Sequence, residues 1–231
     1  METSRYRHEY KYLMSQAQIL MENVKINTIA QVDPNAREQG YYNIRSLYFD
    51  DYENSCFRAN ENGLDNREKY RIRIYNGSKE CIKLELKQKC HGMTLKRSCK
   101  LSLQQCESLM TGRAPSDIKE DQQVLWELVY LMETRLMRPK VIVDYDRIPY
   151  IYRPYDANVR ITFDKNIKSS SDVNSFLDTK VGGRGILPVG YALMEVKFDD
   201  FLPDEIYSLL QMNGIQLSTF SKYYLCRKFG N

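Results

Sequence analysis

Histidine and tryptophan are nearly missing from this chain: two His and one Trp in 231 residues. His8 and His91 stand far apart in sequence, which speaks against a histidine metal cluster and leaves a Ser-His-Asp triad without support. His91, followed by Gly92, reads instead as a hairpin turn. The six cysteines (Cys56, Cys81, Cys90, Cys99, Cys106, Cys226) contain no CxxC pair. They read as small buried or half-buried thiols, not as a zinc site or disulfide frame. No apolar run approaches the roughly 18 residues of a membrane span, and the start, METSRYRHEYKY, has no apolar signal core. The expectation is a soluble intracellular, cytoplasmic protein. GGRG at Gly182–Gly185 lacks the GK[ST] ending of a phosphate-binding P-loop and reads as a mobile loop, as does SSSDVNS from Ser169. No long Pro- or Gly-rich linker and no repeat divide the chain, so one domain over 1–231 is expected. With 42% hydrophobic and 28% charged residues it falls in the globular range.

The patterning predicts mostly antiparallel β structure of the α+β class. Strands are expected at Arg5–Leu13, Tyr41–Phe49, Lys69–Tyr75, Cys81–Lys89, Met93–Leu101, Pro139–Tyr145, Tyr150–Arg153, Val159–Asn166 and Tyr191–Asp199. Ser15 with Gln18 makes a capping box for a helix reaching about Ile29, with Ala17, Leu20, Val24 and Ile29 as its apolar stripe. Ser102 with Gln105 opens a second helix. A third, Ile118–Leu136, carries Val124, Leu125, Leu128, Val129 and Met132 on one face, with Trp126 read as core. Helices at Pro203–Gln211, with Pro at the first position and Asn213-Gly214 as the stop, and at Ser218–Cys226 complete the set. Asn76-Gly77 and His91-Gly92 lie between strand runs and argue for hairpins. Closing such a sheet into a barrel would remove its edges.

Net charge is only +4, but its distribution is uneven. Between Arg67 and Lys100 there are eleven Lys and Arg against three Glu. Side chains alternate along a strand, so Arg71 and Arg73 share a face opposite Ile72 and Ile74. Lys83, Glu85, Lys87 and Lys89 likewise oppose Ile82, Leu84 and Leu86; Arg160, Thr162 and Asp164 oppose Ile161 and Phe163; Glu195 and Lys197 oppose Met194, Val196 and Phe198. A solvated face would mix signs, because like charges on neighbouring strands repel. A stack of Arg and Lys on consecutive strands implies an anion that neutralises it, and the arginine fork suits phosphate. Glu9-Tyr-Lys11, Glu85-Leu-Lys87 and Glu195-Val-Lys197 each put a carboxylate beside a cation on one face. Nucleic acid gains nothing from such carboxylates, whereas a metal-bound triphosphate does. The 18 Tyr suit strands with one wet face better than base stacking, so no nucleic-acid partner is expected.

HEYK (His8–Lys11), KYRIRIY (Lys69–Tyr75), KLELK (Lys83–Lys87), LKRS (Leu95–Ser98), YDR (Tyr145–Arg147), RITFD (Arg160–Asp164), LMEVK (Leu193–Lys197) and SKY (Ser221–Tyr223) follow one another in order. Together they resemble the VTC-type polyphosphate polymerase domain of the triphosphate tunnel metalloenzyme, or CYTH-like, superfamily. The resemblance implies an eight-stranded antiparallel β tunnel with helices packed outside. It carries phosphate-binding roles to Lys11, Arg71, Arg73, Lys87, Lys96, Arg147, Arg160 and Lys222, and the metal-binding glutamate to Glu195. Glu85 and Glu9 are supporting carboxylates. Arg71, Arg73, Lys87, Lys96 and Lys222 are assigned to catalysis, and Lys11, Arg147 and Arg160 to substrate binding.

The implied activity is transfer of the ATP γ-phosphate to a growing polyphosphate chain with Mn²⁺ or Mg²⁺. Hydrolytic relatives begin with ExExK; here Arg7 replaces the first Glu, favouring a phosphate acceptor over water. Two alternatives stay open: a triphosphatase of the same fold, and a non-catalytic polyanion-binding module. Neither an SPX regulatory domain nor a membrane segment is recognisable, so if the chain polymerises through a membrane assembly, a membrane-protein partner chain at the inner face of a membrane would have to supply them.

Overall fold

The computed structural model describes residues 6–36, 38–154, 157–211 and 215–230. The strands are β1 (His8–Ser15), β2 (Gln31–Val32), β3 (Tyr42–Asp50), β4 (Arg67–Tyr75), β5 (Ile82–Cys90), β6 (Met93–Leu101), β7 (Arg138–Tyr152), β8 (Val159–Ser170), β9 (Arg184–Gly185) and β10 (Tyr191–Phe198). The helices are α1 (Gln16–Ile29), α2 (Ser55–Glu61), α3 (Leu103–Met110), α4 (Gln123–Thr134), α5 (Asp204–Leu210) and α6 (Lys222–Phe229). Eight strands run in the order β1-β10-β8-β7-β3-β4-β5-β6, with β2 and β9 paired at the side. Every named pairing is antiparallel. The two ends of this path meet at a bridge in which Arg7 and Thr94 exchange backbone hydrogen bonds of 3.0 and 2.9 Å. The expected α+β tunnel of eight antiparallel strands is what forms.

Alternation along the strands sorts the side chains as expected. Outward residues of β4 and β5 (Ile72, Ile74, Leu84, Leu86) pack on Leu109 of α3 and Leu125 and Leu128 of α4. Outward residues of β8 and β10 (Ile161, Met194, Val196) meet Ile19 and Ile26 of α1 and Ile206 of α5. These apolar layers free the inner face for charge. Against the expectation of helices outside, α6 enters one end of the barrel. Its Tyr223 and Cys226, with Phe220 before it, pack on inward-facing Tyr48, Val143 and Leu193. The helix begins later than expected, because the Ser221 hydroxyl accepts from Tyr224 N and starts it at Lys222.

Both capping boxes are present, at Ser15–Gln18 and Ser102–Gln105. Ser102→Ala is expected to cost about 1 kcal/mol of stability; an unchanged urea midpoint would count against that cap.

Other expectations need correction. The α1 stripe is wrong: Ile19, Glu22 and Ile26 are buried, while Leu20, Val24 and Ile29 are exposed. Trp126 is also exposed, since Val124, Leu125, Leu128 and Met132 turn α4 the other way. That helix spans twelve residues, not the expected nineteen from Ile118 to Leu136. Strand β7 continues through Pro149 where two strands were expected. Pro149 falls between the end of pairing to β3 at Arg147 and the start of pairing to β2 at Tyr150, so on that side no ladder bond needs its missing N–H. The stretches read as mobile loops are structured. Strand β8 runs to Ser170, a 3-10 turn at Val173–Leu177 buries Phe176, and Arg184–Gly185 pairs with β8.

Helix α2 was not foreseen; Asp50 and Asp51 carboxylates accept from the backbone N–H groups of Ser55, Cys56 and Phe57 at its start. Pro203 caps α5 instead of opening it. Asn213, Gly214 and Arg5 lie outside the described residues. Cys106 and Cys226 are buried and Cys81 is exposed; all six cysteines are free thiols.

Candidate functional site

The charged inner faces converge on three carboxylate-centred clusters. Glu85 on β5 is fully buried. Arg71 reaches its Oε2 through Nε at 2.8 Å and Nη2 at 2.7 Å, and donates to Tyr48 Oη at 2.8 Å. Lys96 Nζ donates to Glu85 Oε1 at 3.2 Å, and Arg73 Nη1 lies 3.8 Å from Oε2. Burial alone would raise the Glu85 pKa, but Arg73, Arg71 and Lys96 hold it well below the usual carboxylate range.

The second cluster joins β7, β8, β10 and α6. Arg147 forks onto Asp164 at 2.6 and 2.7 Å and reaches Glu195 at 3.3 Å. Lys222 Nζ lies 2.5 Å from Asp164 and 2.6 Å from Glu195. Burial opposes the Lys222 charge, and Asp164 and Glu195 outweigh it, so its pKa rises. Because Lys222 is the first residue of α6, the insertion of that helix is what delivers its ammonium here.

The third cluster centres on Glu9 of β1. Lys87 Nζ sits 2.7 Å from it, Lys197 3.5 Å and Lys11 3.6 Å. Lys197 also lies 2.9 Å from Glu195, linking this cluster to the second. Burial works to raise both Glu9 and Glu195, yet the surrounding lysines keep both well below the ordinary range. Burial also pushes Lys87 down to about 8, helped by Lys11 and Lys197.

These clusters wall a passage of two chambers. The narrow one, about 190 Å³, lies beside α6 and is lined by ten cations and two carboxylates, Glu9 and Glu195. The wide one, about 730 Å³, opens towards Tyr42, Tyr75, Lys96 and Arg160. Arg71, Arg73, Lys87, Arg147 and Lys197 line both, so the two chambers adjoin. Of the residues singled out from sequence, Lys11, Arg71, Arg73, Lys87, Arg147, Lys222, Glu9 and Glu195 border the narrow chamber. Lys96 and Arg160 border only the wide one, where Arg160 donates to Asp33 at 2.7 Å and Tyr42 Oη at 2.8 Å. Glu85 borders neither and lies under Arg71 and Arg73 as their counter-ion. Arg7 sits at the wide mouth, paired with Asp199.

Sequence reasoning left Lys197, Asp164, Lys69, Tyr48 and Tyr145 off the site. Lys197 and Asp164 share strand faces with Glu195 and Arg160, so alternation could have included them. Tyr145 shares a face with Arg147 in the same way, whereas Tyr48 carries no such signal. Tyr145 meets Arg73 at 3.4 Å only because β7 and β4 flank β3 in the same wall of the barrel, so the two side chains meet across that strand.

Among the described residues, no group of three or more His, Cys, Asp or Glu is placed to hold a metal ion. The acceptors facing the chamber are the Glu9 and Glu195 carboxylates, and cations already engage both. That donor set fits a hard divalent ion sharing phosphate oxygens, which takes one or two carboxylates from the protein. It does not fit a closed protein cage.

An antiparallel barrel of eight strands whose interior is a cation-lined passage has the triphosphate-tunnel fold. Solved structures bear this out at the level of fold. A protein described as a candidate adenylate cyclase from Bacillus halodurans aligns with TM-score 0.50 at 15% identity, over 90% of this chain and 87% of that one. The candidate adenylyl cyclase HpAC1 from Hippeastrum, reported to have a dominant triphosphatase activity, aligns with TM-score 0.51 at 12% identity, over 96% and 95%. The VTC domain family matches residues 6–229, and the chain belongs to that family. No curated protein matches it in sequence. No helix among the described residues is long and apolar enough to cross a membrane.

Proposed function

We propose that the chain is a metal-dependent polyphosphate polymerase that transfers the γ-phosphate of ATP to a growing polyphosphate chain. The observation carrying this reading is a passage with two chambers whose cations extend from Arg160 at the wide end to Lys69 at the narrow end. A phosphate chain longer than a triphosphate would find counter-charge along this whole path. Phosphoryl transfer asks little covalent chemistry of a protein; positioning and charge stabilisation dominate. Arg71 and Arg73, held by Glu85, Ser46 and Tyr48, would present fixed forks to the transferring phosphoryl group. Arg147 and Lys222, fixed by Asp164, would hold the neighbouring phosphates.

A terminal phosphate oxygen of the chain attacks the γ-phosphorus, the bond to the β,γ-bridging oxygen breaks, and ADP leaves. The wide chamber has room for the nucleoside beside Tyr42 and Tyr75. A divalent ion, Mn²⁺ or Mg²⁺, would be held by Glu195 with Glu9 and would supply charge neutralisation on the phosphate oxygens.

A second reading, triphosphate hydrolysis, draws support from the activity reported for the Hippeastrum neighbour. Incubation with γ-labelled ATP, with and without a chelator, tests the proposal. Label is expected in an acid-stable polymer only when the divalent ion is present. Label appearing in polymer equally under chelation would remove the metal from the reaction.

A further inference from the structure

Most cations of the passage are already matched to carboxylates: Arg71, Arg73 and Lys96 to Glu85; Lys11 and Lys87 to Glu9; Arg147, Lys197 and Lys222 to Asp164 and Glu195. The narrow end differs. Lys69 donates to Asn60 Oδ1 at 2.8 Å and to Ser221 Oγ at 3.0 Å, and lies 5.4 Å over the Tyr223 ring. Among the described residues it has no carboxylate within ion-pair distance, and neither have Arg67 and Lys89. Strand register makes this costly. Lys69 is directly opposite Lys87, and Arg67 directly opposite Lys89. Like charges in those positions repel, so the free protein holds a strained cluster that an anion would relieve.

Resting on the polymerase reading above, we infer that Arg67, Lys69 and Lys89 form a separate phosphate subsite at the narrow mouth. It takes the phosphates of an acceptor chain that extend beyond those held by Arg71, Arg73 and Arg147. A ligand of three phosphates held at the central arginines leaves this subsite empty; a polyphosphate fills it.

The surroundings of Lys69 add a proton linkage. Burial, together with Lys87 of β5, Lys11 of β1 and Arg67 of β4, pushes its ammonium down to about 7, and the Cys56 thiol of α2 pulls weakly the other way. Asn60, Ser221 and Tyr223 complete its surroundings as neutral groups. A phosphate beside it favours the charged form, so capture of the chain takes up a proton when the pH is above about 7. Polyphosphate affinity should therefore fall as pH rises through and above 7.

The test is direct binding, without ATP, of long-chain polyphosphate and of inorganic triphosphate to the full chain and its variants. Lys69→Met is expected to weaken polyphosphate binding about tenfold while changing triphosphate binding less than about twofold. Lys69→Arg should keep the affinity and flatten its decline above pH 7, because arginine does not titrate there. Should Lys69→Met fail to fold, Lys89→Ala makes the same comparison. Equal losses for the two ligands, or no loss for polyphosphate, would overturn the subsite. Because no turnover is needed, an enzyme that proves unable to polymerise ATP would refute the polymerase reading and leave this result independent of it.

Discussion

Glu195→Gln should lower turnover with ATP by at least ~10²-fold while leaving triphosphate affinity unchanged or tighter. The two effects separate because Glu195 faces an anion site from among cations. Lys222 at 2.6 Å, Lys197 at 2.9 Å and Arg147 at 3.3 Å all point at its carboxylate. Removing that negative charge makes the chamber more attractive to a polyanion. It also removes the oxygen donor that fits a divalent ion and the anchor that sets Lys222 and Lys197. Glutamine keeps the shape and can still accept hydrogen bonds, so the fold should persist. Separate kcat and KM values, with a binding titration, give the answer. Near-full kcat with weakened binding would reduce Glu195 to a scaffold residue.

Asp164→Asn should produce the largest loss of stability, about 3–5 kcal/mol. Asp164 is fully buried and carries the Arg147 fork at 2.6 and 2.7 Å and the Lys222 ammonium at 2.5 Å. Without its charge, Glu195 alone balances two buried cations from that side. Burial raises the Asp164 pKa, but Arg147 and Lys222 more than reverse this, so the folded-state value lies below the ordinary one. Its contribution is therefore present above the unfolded value of about 4 and disappears as pH falls through the depressed folded value. Urea unfolding at pH 7 should show the full gap between wild type and variant, narrowing in acid. Triphosphate at about a hundred times its Kd should return roughly 2.7 kcal/mol to whichever form binds it. A gap under about 1 kcal/mol at pH 7 would show that the cluster does not hold the barrel together.

Period-two alternation made the interior legible in advance. It separates Arg71 and Arg73 from Ile72 and Ile74, and Glu195 and Lys197 from Val196, without reference to any partner strand. What it could not supply was depth. Glu85 sits on the same inward face as Lys87, yet it lies under the arginines instead of at the chamber surface, because Arg71 and Arg73 arrive from the adjacent strand. The face that α1 buries was misread for a related reason. Leu20 and Val24 form as good a stripe as Ile19 and Ile26, and only the barrel decides between them; the buried Glu22 hid the correct face. The insertion of α6 was illegible because its apolar residues look like any amphipathic helix, while its destination depends on the size of the barrel mouth. Lys69 opens the KYRIRIY run and shares the face of Arg71 and Arg73, yet nothing in the sequence set it apart from them. Its isolation from carboxylates appears only when Asn60 of α2 and Ser221 are brought beside it.

Incubating the purified protein with ATP and Mn²⁺, and following long-chain polyphosphate on a gel and free phosphate in the same tube, tests the central claim most directly. A polymer ladder that grows as ATP is consumed, with little free phosphate, is the predicted result. Stoichiometric phosphate release without polymer would contradict it, and would show that water, despite Arg7, is the acceptor in this tunnel.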